Sequence, residues 1–165
     1  MNGFLDGAPG DVLMCGTVDD RGEEDERAQK FRLGMQAAEP GRRLVRIDCT
    51  VDDDARWLEE VSKVLTGTAG VIAIYSIAGR NAAIVEAFRR SKRKYRAFIG
   101  HDFNSENRAL LINREVTVIL EHDLGFDLLR ACRIILKSSA HRGVSESAES
   151  SNVRVITPFN LPESH

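Results

Sequence analysis

A chain of 165 residues is long enough for one domain with a real core, and its 42% hydrophobic and 29% charged residues match a soluble globular protein. A formal net charge of −2 excludes the basic excess that a nucleic-acid surface shows. No apolar run approaches the roughly 18 residues that a membrane helix needs, so no membrane partner is expected. The opening MNGFLDGAPGD has no basic region, long apolar stretch or cleavage-site pattern, which predicts a cytoplasmic protein.

Along the chain, short apolar runs alternate with helical patterns. Residues 12–16 (VLMCG) read as a buried strand followed by an acidic turn. Over residues 23–38, Ala28, Phe31, Met35 and Ala38 recur every three or four positions and form one helix face, which Pro40-Gly41 ends. Residues 44–47 (LVRI) are a second strand. Asp52, Asp53 and Asp54 then favour a helix start by complementing its dipole, and the helix presents Ala55, Leu58, Val61 and Leu65. Residues 71–75 (VIAIY) are continuously apolar, as a strand covered on both faces should be.

A third helix over 81–90, a fourth strand over 95–99 and a short helix over 105–111 come next, then a strand over 116–120. Residues 124–137 form the most amphipathic helix, with Leu124, Leu128, Leu129, Cys132, Ile135 and Leu136. Residues 138–151 (SSAHRGVSESAESS) read as a flexible connection, 153–157 as a last strand and 158–165 as a tail. The acidic stretch 19–26 and the basic stretch 89–96 read as solvated helix ends or faces. Cys15, Cys49 and Cys132 have no CxxC spacing and lie in apolar runs, which predicts buried thiols in a reducing compartment. Met14, Met35 and Trp57 are expected in the core.

Successive strand–helix units imply an α/β fold with a parallel, doubly wound, Rossmann-like sheet. Ligands of such sheets sit beyond the carboxyl ends of the strands. That rim would hold the loops 17–26, 76–80 and 100–104. Two His-Asp steps stand out, His101-Asp102 and His122-Asp123, as imidazole–carboxylate pairs that suit a transition metal. Adjacent residues of an extended chain point to opposite faces, however, so each pair offers a common centre only one ligand. No glycine-rich phosphate loop follows a strand, and Ser76 in YSIAG lacks the first glycine of a nucleophile elbow. No catalytic arrangement, metal or cofactor is therefore expected.

The order of the pieces resembles the C-terminal part of the effector-binding region of lactose-repressor (LacI) family regulators, which share the periplasmic sugar-binding-protein fold. Arg27-Ala28-Gln29-Lys30-Phe31 is similar to the family's arginine four residues before an aromatic, with Lys30 where glycine is usual. AIYSIAGRNAAIVEAF is similar to its strand, polar turn and helix, with Ser76 at an asparagine position. Ile99-Gly100-His101-Asp102 resembles V-G-H/Y/F-D/E, and Asn107-Arg108-Ala109-Leu110-Leu111 its "RALL" helix. Leu120-Glu121-His122-Asp123 stands where a Gln-Asp step leads into a long helix, and VITPFNLPESH is similar to the family's ending. The likeness runs from Asp11 to Glu163.

The resemblance implies two lobes hinged around a small sugar or polyol, and a chain lacking the first lobe and the DNA-binding helix-turn-helix. Residues 11–120 would be the second lobe and 121–138 a helix of the first. Residues 139–151 would be the linker and 152–165 the returning strand and tail. Operator DNA would be contacted only through the absent N-terminal domain, by a homodimer. The implied ligand-binding residues are Arg27, Ser76, Asp102 and His122, mixing the donors and acceptors that sugar hydroxyls require. Without its usual sheet, the helix over 124–137 is expected to pack on another copy of the chain or to be displaced. A sugar-transport solute-binding protein and, further off, a metal-dependent enzyme using the His-Asp steps are the alternatives.

Overall fold

The structure, a computed structural model, describes residues 1–16, 26–49, 53–139 and 152–163. The elements in chain order are α1 (Asn2–Leu5), β1 (Asp11–Gly16), α2 (Glu26–Ala38), β2 (Leu44–Asp48), α3 (Asp54–Gly67) and β3 (Val71–Ser76). They continue with α4 (Asn81–Arg90), β4 (Ala97–His101), α5 (Ser105–Ile112), β5 (Val118–His122), α6 (Leu124–Ser139) and β6 (Val153–Ile156). The acidic turn after β1 and the serine-rich connection beyond Ser139 lie outside the described residues.

The strands form one six-stranded sheet in the order β2-β1-β3-β4-β5-β6. The first five are mutually parallel, and β6 returns antiparallel to β5, with His122 opposite Val153. The expected doubly wound α/β architecture is therefore present. One face carries Leu13, Cys15, Ile74, Phe98 and Ile119 against Trp57, Val61 and Leu65 of α3, Ile84 and Phe88 of α4, and Leu111 of α5. On the other face Ala28, Phe31 and Met35 of α2, with Leu5 of α1, pack on Met14, Val12, Ala73, Tyr75 and Ala97. Coverage on both sides explains why β1 and β3 read as unbroken apolar runs.

Local chemistry sets the helix boundaries. Asp53 caps α3 by accepting from the Ala55 amide at 2.9 Å, and Asn104 caps α5 by accepting from the Asn107 amide at 2.8 Å. From the basic stretch 89–96, the Arg93 guanidinium donates to the carbonyl oxygens of Leu65, Thr68 and Ala69, closing the end of α3. Arg89 pairs with Glu86 and Glu115. These basic side chains are thus engaged within the fold.

Two strands sit further along than their apolar runs suggest. β4 covers Ala97–His101 rather than 95–99, and β5 covers Val118–His122 rather than 116–120. The parallel register is the cause: Ala97 pairs with Ala73, and Gly100 and His101 pair with Ile119 and Leu120. A glycine and a histidine do not look like strand residues, yet both are buried here. α1 has no sequence signal; its Leu5 is nevertheless fully buried. Among the described residues no helix is long and apolar enough to cross a membrane.

Candidate ligand-binding site

The sheet order reverses direction between β1 and β3. The segment after β1 leads to α2 on one face, and the segment after β3 leads to α4 on the other. In parallel sheets such a divergence is where ligands bind, outside the carboxyl ends of the strands. The Ile77 amide donates to the Cys15 carbonyl at 2.8 Å, which fixes the start of the turn after β3. Ser76 is fully buried, and its hydroxyl donates to the Gly79 carbonyl at 3.1 Å. That hydroxyl braces the 76–79 turn and does not cap α4. The cap position belongs to Arg80, in the left-handed region at φ 54°, with its guanidinium 3.2 Å from Asp54.

At the end of β4 the His101-Asp102 step splits. His101 is 4% exposed, and its Nε2 lies 3.0 Å from the Tyr75 hydroxyl. Phe31 stacks on the Tyr75 ring with centroids 3.9 Å apart and planes 16° apart. Asp102 is exposed and left-handed at φ 62°. Its amide donates to the Leu120 carbonyl at 3.0 Å, and its own carbonyl accepts from Asn107 Nδ2 at 2.7 Å. One side chain therefore goes inward and the other to the rim, as expected. The left-handed turn, rather than an extended backbone, separates them.

Arg27 is half-buried in the first turn of α2, four residues before Phe31, so the Phe31–Tyr75 stack sets its place on the face of the sheet. His122 is half-buried and closes β5. Asp123 caps α6 by accepting from the Phe126 amide at 3.0 Å, while its own amide donates to the Asn152 carbonyl. Ser76 ends β3 and Asp102 directly follows the adjacent β4, and Asp102 is tied to Leu120, two residues before His122. Among the described residues no three His, Cys, Asp or Glu side chains converge as a metal site would require. The two His-Asp steps are engaged separately, one with Tyr75 and the other at a helix start.

The thiols depart from expectation in one place. Cys15 and Cys49 are buried, whereas Cys132 on α6 is exposed. α6 has no sheet under it, so the apolar run around Cys132 lies against solvent. Burial first, and the Asp48 carboxylate second, push the Cys15 thiol far above its ordinary range. Met14, Met35 and Trp57 are in the core.

Two features near the rim had no reading in the sequence. The Phe31–Tyr75–His101 column is one, and its only trace is that His101 adjoins a residue assigned to the opposite side. The other is a buried pair of amides: Asn81 Nδ2 donates to Asn107 Oδ1 at 2.8 Å. Buried asparagines look like surface residues in composition, and nothing in their spacing marks them.

No protein-family model matches the chain, and neither does any curated protein. Solved structures do. The chain is similar to GanP, a glucose-galactose binding protein from Geobacillus stearothermophilus (17% identity, TM-score 0.79, 98% of this chain and 57% of that one). It is similar to AraP, an arabinose binding protein from the same organism (16% identity, TM-score 0.80, 97% and 58%). A Bacteroides fragilis chain, a candidate LacI transcriptional regulator, is similar at 13% identity and TM-score 0.71, covering 93% and 54%. The fold is thus that of one lobe of a periplasmic-binding-protein-like protein. The chain spans little more than half the length of these structures.

Proposed function

We propose that this chain is the sugar- or polyol-sensing part of a LacI-type transcriptional regulator. The observation that carries the proposal is the exposed Asp102, held in a left-handed turn at the carboxyl edge of a sheet whose likenesses include sugar-binding proteins. A carboxylate in that place accepts from two adjacent hydroxyls, and the Arg27 guanidinium offsets the cost of desolvating the charge while donating to ring or hydroxyl oxygens. His122 contributes at the β5 end, and Ser76 acts by shaping the turn beside the ligand. Residues 11–120 then form the second lobe. Of residues 121–138, Glu121 and His122 finish β5 in the second lobe and the helix packs with the first lobe; 139–151 link, and 152–165 return to the second. Closure of the two lobes on ligand would change DNA binding by an N-terminal helix-turn-helix in a homodimer. No catalytic step is assigned to any residue.

The alternative is a solute-binding protein of a sugar transport system, which the glucose-galactose and arabinose binding likenesses favour. On the other side, three cysteines, an odd number without CxxC spacing, suit a reducing, cytoplasmic setting. Calorimetric titration with D-glucose, D-galactose, D-arabinose and myo-inositol tests the shared claim. Saturable heat with at least one supports it, and none with any of the four counts against it. The coding sequence upstream of Met1 separates the two classes: a helix-turn-helix supports the regulator, an export signal the transporter.

A further inference from the structure

We infer that Asn81 and Asn107 are positioning residues that hold Asp102 in its left-handed, outward-facing conformation; the binding arm of this inference rests on the proposed role of Asp102. Asn107 is 2% exposed and comes from the first turn of α5, where its amide is received by the cap Asn104. Its Nδ2 donates to the two carbonyl oxygens that flank the Asp102 φ and ψ angles, His101 at 3.1 Å and Asp102 at 2.7 Å. The Asp102 amide is tied to Leu120 at 3.0 Å. The Asp102 amide and the two carbonyl oxygens flanking its φ and ψ angles are therefore all held, and one side-chain amide holds both carbonyls.

Asn81 keeps that amide in place. It is fully buried at the first position of α4, and its Nδ2 donates to Asn107 Oδ1 at 2.8 Å. The donation leaves Asn107 with both amide hydrogens directed at the loop. Gly100 makes room for the arrangement, because a Cβ there would stand 2.7 Å from Asn81 Nδ2 and 3.0 Å from Ile119 Cδ1. Asn81 Oδ1 is buried without a hydrogen-bond partner among the described residues. A pair of buried amides with one acceptor unsatisfied is a poor way to fill a core, where apolar side chains of similar size would pack at no such cost. It is a good way to fix a left-handed aspartate. The helix α4 that begins beside the β3 turn is thereby joined through α5 to the β4 rim, so the two loops keep one relative position.

The test uses the full chain with Asn107→Leu, a close match in size that removes the amide, and Asn81→Ala, which removes its support without altering α5. Crystal structures of the variants report the Asp102 backbone: departure from the left-handed region in Asn107→Leu is expected, and Asp102 still near φ 62° in both variants would overturn the inference. Calorimetry with whichever of the four compounds binds the parent chain gives the second arm. Asn107→Leu should weaken binding about tenfold, the loss expected for one well-formed hydrogen bond. In an Asp102→Ala background it should weaken binding no further. An equal loss in both backgrounds overturns the positioning role in favour of a general loss of structure. If the parent binds none of the four, the ligand proposal fails, and the Asp102 backbone still decides this one. Should Asn107→Leu not fold, Asn81→Ala answers by the same two readouts.

Discussion

The Tyr75 hydroxyl and His101 Nε2 share a hydrogen bond of 3.0 Å in the interior, just below the rim that carries Asp102. Phe31 lies flat on the other side of the Tyr75 ring, so α2, β3 and β4 meet in one column. The bond gives a buried imidazole a polar partner that water would otherwise supply. Tyr75→Phe keeps the stack and removes the hydroxyl. It is expected to lower stability by about 1–3 kcal/mol, the cost of a buried polar group losing its partner. Urea unfolding of the variant measures this, and a midpoint unchanged from the parent would contradict the role given to the bond.

The cysteines should separate by burial. Cys132 is exposed on α6, while Cys15 is buried with its thiol held protonated at neutral pH. A thiol reagent added to the folded chain is expected to modify Cys132 rapidly and Cys15 only on unfolding. Peptide mapping after a short exposure checks it, and Cys132→Ser should remove the fast phase. Rapid modification of Cys15 in the folded chain would contradict the packing of β1.

Tyr95 provides a pH dependence. Burial first, and the Glu115 carboxylate second, push its phenol up to about 12, against an ordinary value of 10.0. Its hydroxyl donates to the Glu115 carbonyl at 2.6 Å. The folded state keeps a proton that the unfolded state gives up, so stability falls as pH rises. The contribution is complete below pH 10.0 and disappears as the pH approaches about 12. The difference in Tm between the parent and Tyr95→Phe should be constant below that window and shift across it. A difference that does not move would show that the phenol titrates normally.

α6 exposes Leu128 (67%), Leu129 (62%) and Leu136 (70%), and β6 exposes Val153 (48%) and Val155 (53%). Several large apolar side chains exposed on one helix favour association. Sedimentation of the chain is expected to show concentration-dependent self-association, which Leu129→Glu with Leu136→Glu reduces. Uniform monomers at every concentration would contradict it.

Periodicity carried most of the fold. Continuous apolar runs gave β1 and β3 because both of their faces are covered, and the three- and four-residue spacing of Leu58, Val61 and Leu65 and of Ala28, Phe31 and Met35 gave most of the core-facing helix sides. Ala55 and Ala38, expected on the same faces, are exposed because each lies near a helix end beyond the sheet contact, and Trp57 is the buried residue of the first turn of α3. The pattern failed where burial is polar. Gly100 and His101 are strand residues because Tyr75 accepts His101 into the interior and Asn81 fills the space a Cβ at position 100 would take. Hydrophobicity does not register either fact. The same holds for the rim: Asp102 was legible from its place after a strand, but the amides that hold it were not, since Asn81 and Asn107 lie 26 positions apart and meet only once α4 and α5 have packed.

The most direct test is calorimetric titration of the parent chain and Asp102→Ala with D-glucose, D-galactose, D-arabinose and myo-inositol. Asp102 is exposed but left-handed, so alanine there should lower stability by about 1 kcal/mol, the backbone cost of the substitution, and leave the chain folded. Saturable binding of at least one ligand by the parent, weakened at least about tenfold in Asp102→Ala by loss of a charge-assisted hydrogen bond, is the predicted result. Binding of equal strength in both proteins would contradict it and remove Asp102 from the site.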